Sequence, residues 1–204
     1  EVVLIDMRMK VPEPKRTPVI QQISRCPPRS LALFPTALDR SGFCVGSYES
    51  RVGVHFLPGP DGGGKSSVGS NDKWGEDFPF RCHKSKQPQG TATAERHFAV
   101  SALCFHPTSP SQIATAGTDG EAFLWDIKKR SKIGQLASCS SPPGASPTPS
   151  ALPISSLSFS RTGKMLAYAR SDDWTSGEEL HSQLKSNPDL KDQVLVCEPS
   201  VSAT

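Results

Sequence analysis

The chain contains no run of about eighteen apolar residues, so no segment reads as a membrane-spanning helix. It has no C-x-x-C pair: Cys26, Cys44, Cys82, Cys104, Cys139 and Cys197 stand far apart. Disulfide frameworks and zinc sites need closer or more regular spacing. Several of these cysteines lie inside apolar strand patterns, where a thiol packs as a small hydrophobe. A reducing nuclear or cytosolic compartment fits that usage. Strong charge of either sign is also missing. The 204 residues carry a net charge of +3, with Lys and Arg spread among Asp and Glu, too mild a balance to argue for nucleic-acid binding. Apolar residues are scarce at 35%, below the usual range for globular chains. The opening Glu1-Val2-Val3-Leu4-Ile5-Asp6 has neither Met nor a basic region before its apolar stretch, so it is no signal peptide. It reads as a strand entered midway, and the chain is expected to lack its front.

What is plentiful is turn chemistry: 16 Gly and 19 Pro, the mixture of short strands, many turns and solvated loops. Strand patterns fall at 1–8, 30–34, 43–47, 52–57 and 78–83, with 48–51 as a hairpin turn. Residues 11–29, with five prolines, read as linker, and 58–77, rich in Gly, Ser and Pro, as a flexible insertion. The pattern then repeats more cleanly. Strands at 98–107, 113–117, 122–126 and 133–136 precede a Pro/Ser-rich stretch at 138–150, and 154–160 and 165–169 mirror the first two of them. Phe105 and Phe159 are 54 residues apart, and Ile113 and Leu166 are 53 apart. With the Pro/Ser stretch discounted, the spacing approaches a WD repeat of about 40–45 residues. Residues 175–185 break the β pattern: Leu180 and Leu184 have helical spacing, and Ser176 with Glu179 forms a capping box. A short helix is expected there, inside a hairpin that ends at a last strand, 193–197.

The spacing Ala116-Gly117-Thr118-Asp119-Gly120, four residues, Trp125-Asp126 carries the structural argument. Gly120 supplies positive φ and Asp119 bonds nearby amides in a tight turn. Trp125 places a large ring between packed sheets, and Asp126 accepts amides of the following turn. The fold class expected is all-β: a partial WD40 β-propeller, about three to four blades of a seven-bladed ring. Residues 1–28 end a preceding blade and form a linker. Residues 29–97 make a blade with the 58–77 insertion, 98–150 the WD blade with its Pro/Ser insertion, and 151–204 a C-terminal blade with the helical insertion. A closed seven-bladed ring needs roughly 300 residues at this period. The first and last blades should therefore expose edges that invite association.

Specific strings extend this reading to a family. Gly46-Ser47-x-Glu49-x-Arg51-Val52, Phe78-x-Phe80-x-Cys82-His83-Lys84, Ala99-Val100-x-Ala102-x-x-Phe105-His106-Pro107, Trp125-Asp126 and Leu166-Ala167-Tyr168-Ala169 resemble the propellers of the mRNA-export factor and the mitotic spindle-checkpoint protein. The match covers nearly the whole chain apart from the insertions and 176–192. The stretch from Tyr168 to Trp174 resembles the export branch, and 154–160 and Asp6-Met7-Arg8 the checkpoint branch; the balance favours export.

The resemblance implies a non-enzymatic scaffold that docks a short acidic peptide, the GLEBS motif, from a nucleoporin or a checkpoint kinase. It implies a nuclear site, at the pore or kinetochore, with cytoplasmic presence as well. Carried over, the partner-binding residues are Lys84, Trp125, Arg130 and Lys132, and Asp119, Gly120, Trp125 and Asp126 form the blade signature. Lys at 84 stands where the family usually has Arg, which keeps the charge and loses the bidentate fork. Direct RNA binding through basic blade ends is the rival reading, recognisable by steep salt dependence.

No catalytic set, metal site or cofactor is expected. Residues 59–66 (Gly-Pro-Asp-Gly-Gly-Gly-Lys-Ser) fit the phosphate-loop pattern, but no helix pattern follows to complete the cradle. Of the scattered histidines, His83 beside Cys82 suggests a ligand pair, yet neighbours on a strand point to opposite faces. His83 and His106 are expected to serve structure.

Overall fold

The computed structural model describes residues 2–3, 19–38, 40–57, 74–89, 92–136, 152–174, 177–178, 181–182 and 192–202. Its sixteen strands, among the described residues, are β1 (Val2–Val3), β2 (Val19–Ile20), β3 (Pro28–Leu33), β4 (Gly42–Ser47), β5 (Arg51–Phe56), β6 (Phe78–Arg81), β7 (Lys84–Gln89), β8 (Ala92–His97), β9 (Val100–Phe105), β10 (Gln112–Gly117), β11 (Ala122–Asp126), β12 (Ser131–Leu136), β13 (Ile154–Phe159), β14 (Leu166–Arg170), β15 (Gln193–Cys197) and β16 (Val201–Ser202). All pairings are antiparallel.

Three sheets follow one another as blades. The first has the order β3-β4-β5-β6, the second β9-β10-β11-β12 with β16 added beside β12, and the third β13-β14-β15. Their inner strands lie side by side, β9 packing against both β3 and β13. Each first-to-second pairing carries one irregularity near the same end: at Pro28/Ser30, at Ala116/Gly117 and at Ile154/Ser156. The shared bulge marks one repeated unit. This is the architecture of a partial propeller, all-β and built from successive small sheets.

Between the blades sit two apolar cores. Val52, Val54, Phe78 and Cys44 of the first blade meet Val100 and Ile113 of the second, with Leu103, Phe105 and Trp125 against them. Ala122, Leu124 and Leu136 of the second meet Ile154, Leu157, Leu166 and Tyr168 of the third. Strand alternation makes this possible, because residues two apart share a face and the other face serves the other neighbour. Burial pushes the Cys44 and Cys82 thiols far above their ordinary range, so both are neutral packing groups.

Four observations differ from the pattern read in the sequence. Residues 58–77 were expected to form one flexible insertion; Trp74 to Asp77, at its end, belong to the first blade instead. Trp74 is buried with its ring 4.9 Å from that of Phe56, and Asp77 accepts a bond from the Phe56 amide at 2.8 Å. Lys84–Gln89 and Ala92–His97 form a two-stranded hairpin between the first and second blades, a stretch too polar to announce itself by alternation. Residues 11–29 were expected as linker; Val19–Ile20, within them, form a strand that pairs with Val2–Val3, the described part of the strand expected at 1–8. Val201–Ser202 adds a fifth strand to the second sheet.

The phosphate-loop-like residues 59–66 and the Pro/Ser stretch 138–150 lie outside the described residues. Of the helix expected at 175–185, residues 177, 178, 181 and 182 are helical and the rest lies outside them.

Candidate functional site

The second blade is tied together by a polar chain that begins in the corner before it. His83 is buried and takes the left-handed region at φ 49°. Its Nδ1 lies 3.0 Å from the Asp119 carboxylate and its Nε2 2.9 Å from Thr115 Oγ1. Trp125 Nε1 donates to the same hydroxyl at 3.0 Å. One imidazole thus joins the entry corner, the β10–β11 turn and, through Thr115, the β11 strand. Asp119 Oδ1 also accepts the Glu121 amide at 3.2 Å, and Gly120 turns the chain at φ 76°. Gly117 is required because a Cβ there would meet His83 Nδ1 at 2.5 Å. Asp126 accepts the Lys128 and Lys129 amides at 3.0 and 3.1 Å and closes the β11–β12 turn. The sequence offered Asp119, Gly120, Trp125 and Asp126 as a signature; the centre of the network is His83, which stands 36 residues before Asp119.

Antiparallel connectivity divides each blade into two ends. The turns β4–β5 (48–50) and β10–β11 (118–121) lie at one end, called upper here, and the turns β3–β4, β9–β10 and β11–β12 at the other, lower end. Lys84 begins the β7–β8 hairpin at the upper end. Arg130 belongs to the β11–β12 turn, and Lys132 starts β12, at the lower end. The four expected partner-binding residues therefore do not share one surface. The ring of Trp125 is half-buried between blades, 4.8 Å from that of Phe80. Arg130 lies over the Phe78 ring at 4.1 Å and Lys132 over the Phe123 ring at 4.2 Å. Such cation–ring contacts bind the rim of the second blade to its own core and to the first blade. An unpatterned solvated charge run would not show them.

Around Lys84 the upper end gathers cations that the sequence left dispersed. Arg51 and Arg81 face each other across the β5–β6 pairing. Ser85 pairs with Arg96, one step from Lys84 and His97. Lys84 lies 3.5 Å from Glu95, and Arg51 3.7 Å from Glu49. Arg81, Lys84, Arg96 and His97 are exposed. Arg51, Arg81 and Lys84 thus gather at one corner with Glu49 and Glu95 beside them, while Arg96, paired with Ser85, projects from the other face of the hairpin and lies over the Phe98 ring. At the same end Arg29 reaches the Tyr48 hydroxyl and the Asp173 carboxylate, both at 2.7 Å, linking the first blade to the third. Trp174, exposed and at φ 60°, stacks on His181 at 4.1 Å. Pairing register is what sequence reading lacked: Arg51 comes beside Arg81 only once β5–β6 is aligned.

The lower end holds a cleft of about 390 Å³ between the second and third blades, lined in part by His106, Phe159, Lys164 and Glu198. His106 Nδ1 accepts the Ser109 amide at 3.1 Å and its ring meets Phe159 at 4.9 Å. Its imidazole is engaged in turn closure and blade packing. Among the described residues, no group of three or more His, Cys, Asp or Glu converges on a metal position, and no helix is long and apolar enough to cross a membrane.

Repeated small antiparallel sheets, inter-blade cores and the His83–Asp119–Thr115–Trp125 tie define the class: the chain is a WD-repeat protein, built as part of a β-propeller. The family model for the WD domain, G-beta repeat, matches residues 88–126. Within that class the chain is similar to the mRNA export factors. It is 31% identical over 160 residues to the mRNA export factor of Danio rerio and 30% to that of Xenopus tropicalis. The mRNA export factor of Sus scrofa is 29% identical over the same length. Each alignment covers 78% of this chain and 37% of the relative, so the chain spans well under half the length of the relatives it matches.

Proposed function

We propose that this chain is a non-catalytic docking scaffold in mRNA export, and that its upper end receives a short acidic peptide of the GLEBS type. The carrying observation is the cluster of Arg51, Arg81 and Lys84 beside the hairpin corner. Closely spaced cations raise the local potential and favour a carboxylate-rich partner. Lys84 contributes a point charge there, and the arginines supply the planar forks that carboxylates prefer. A nucleoporin segment is the partner this reading names, with the nucleus and its pores as the place of action. The relatives' name favours export over a checkpoint role, in which a kinase segment would dock. Trp125 serves by holding blade geometry, and Arg130 and Lys132 lie at the other end of the strands.

The test is titration of an acidic GLEBS-like peptide against the wild type, an Arg81→Glu/Lys84→Glu variant and an Arg130→Glu/Lys132→Glu variant. Reversal at 81 and 84 should weaken binding at least tenfold with an unchanged circular-dichroism spectrum. Reversal at 130 and 132 should leave binding within about twofold. The opposite order would move the site to the lower end. A single-stranded RNA bound more tightly than the peptide, with affinity falling steeply with salt, would replace the peptide reading with an RNA-binding one.

A further inference from the structure

Among the described residues, two aromatic side chains are left largely in water: Tyr48, 46% exposed, and Trp174, 59% exposed. Both stand at the upper end, on either side of one guanidinium. Arg29 donates to the Tyr48 hydroxyl through Nη1 and to the Asp173 carboxylate through Nη2, both at 2.7 Å, and lies 5.0 Å from the centre of the Tyr48 ring. Trp174 is the next residue after Asp173. The nearly buried Asp173 carboxylate balances the Arg29 charge. What this spot offers a ligand is therefore ring surface rather than charge.

Both rings are fixed before any partner arrives. Arg29 holds Tyr48 by its hydroxyl. Trp174 takes the left-handed region at φ 60°, which a bulky residue adopts only where its surroundings impose it. Asp172 imposes it from two sides. Its Oδ1 accepts the Trp174 amide at 2.9 Å, and its Oδ2 lies 3.2 Å from Nδ1 of His181, the ring on which Trp174 stacks at 4.1 Å. The Gly177 amide donates to the Trp174 carbonyl at 3.1 Å. A strained backbone and a set of polar bonds thus hold an indole at the surface, against the burial that the hydrophobic effect favours.

We propose that Tyr48 and Trp174 form an aromatic subsite of the upper end, which seats an aliphatic or aromatic side chain beside the acidic residues of a docked peptide. The inference rests on the peptide-docking reading and adds the apolar half of its partner. Tyr48 and Arg51 flank one tight turn, β4–β5, so the rings continue the surface that begins at the cationic corner. Trp and Tyr dominate the energetics of protein contacts because a large ring with two torsions buries much area at small entropic cost. Here that cost is smaller still, since both rings are already positioned.

The test titrates the full 204-residue chain with an acidic GLEBS-like peptide and with versions of it in which each large apolar residue is replaced in turn by Ser. Trp174→Ala and Tyr48→Ser should each weaken the parent peptide at least fivefold, at low and high salt alike, whereas the loss in Arg81→Glu/Lys84→Glu should shrink as salt rises. One Ser-substituted peptide should bind the wild type weakly and lose nothing further on Trp174→Ala, the mark of a direct contact. Tryptophan emission should move to shorter wavelength on binding, and Trp174→Phe should abolish the shift; this readout decides the matter should Trp174→Ala misfold. Ring variants within twofold of the wild type, with the charge-reversed variant still weakened, would overturn the subsite and leave the docking reading standing. So would losses that add for every peptide, with none coupled to Trp174. A wild type that binds no acidic peptide would remove the docking reading and the subsite with it.

Discussion

The first and second blades share a register and differ in what holds their polar groups. In the second, Trp125 and Thr115 lie on one face with His83 and Asp119, and every polar atom of the tie has a partner. In the first, the place of Trp125 is taken by His55 and that of Thr115 by Val45, as their common pairing with Ile113 and Phe43 positions shows. His55 is fully buried, stacks on Phe43 at 5.0 Å and lies 3.1 Å from Asp77, while its Nε2 finds no hydrogen-bond partner among the described residues. Ser50, at φ 55°, stands where the second blade has Gly120. Its hydroxyl binds the His83 carbonyl at 2.9 Å and the Phe98 amide at 2.8 Å. The blade shape survives without the signature residues. Alternation of apolar side chains and paired edges builds the sheet, and the polar tie fixes how the second blade meets the corner before it.

If that is so, truncating the tie should hurt more than truncating its counterpart. The largest loss is expected for Trp125→Ala, which removes the ring packed on Phe80 and leaves the Thr115 hydroxyl without its indole donor. A cost of about 3–5 kcal/mol is expected, read as a lowered urea midpoint with an unchanged slope. A cost under about 1 kcal/mol would mean that the two blades do not depend on this ring.

Next in size come the two His–Asp pairs compared directly. Asp119→Ala strips a buried imidazole nitrogen of its acceptor and should cost about 1–3 kcal/mol. Asp77 is 41% exposed, so water screens its pair and refills its place, and Asp77→Ala should cost less than about 1 kcal/mol. Equal losses in denaturant titrations would erase the distinction between a buried tie and a solvated one.

How much of this was legible follows the same division. The strands around 100–126 announce themselves because apolar residues alternate and Asp119-Gly120 marks the turn between them. His83 gave no such signal: its partners are remote in sequence, and only its place in the corner before a strand hints at the role. Lys84–Gln89 reads as polar coil, and its partner strand is equally polar, so no period betrays the hairpin. Trp74 was hidden by a Gly- and Ser-rich neighbourhood in which a single aromatic carries no pattern. The cationic corner was legible only at Lys84, through a resemblance, since bringing Arg51 beside Arg81 requires knowing the register. The resemblance placed Lys84, Arg130 and Lys132 in one list; strand direction puts them at opposite ends.

The smallest expected effect bears most sharply on the comparison. His55→Phe removes the Asp77 pair, and with it a buried nitrogen whose desolvation no partner offsets. The ring stays, stacked on Phe43, and Asp77 keeps the Phe56 amide. Loss and relief oppose each other, so the net change should stay within about 1 kcal/mol of zero. Trp125→Phe in the second blade makes a similar change with the opposite logic: it keeps a ring and strips a satisfied hydroxyl of its donor, so it should be the more costly of the two. Thermal melts of the pair decide the matter. Should His55→Phe prove the worse substitution, His55 has a partner for Nε2 in solution, and the first blade is tied as firmly as the second by a contact of its own.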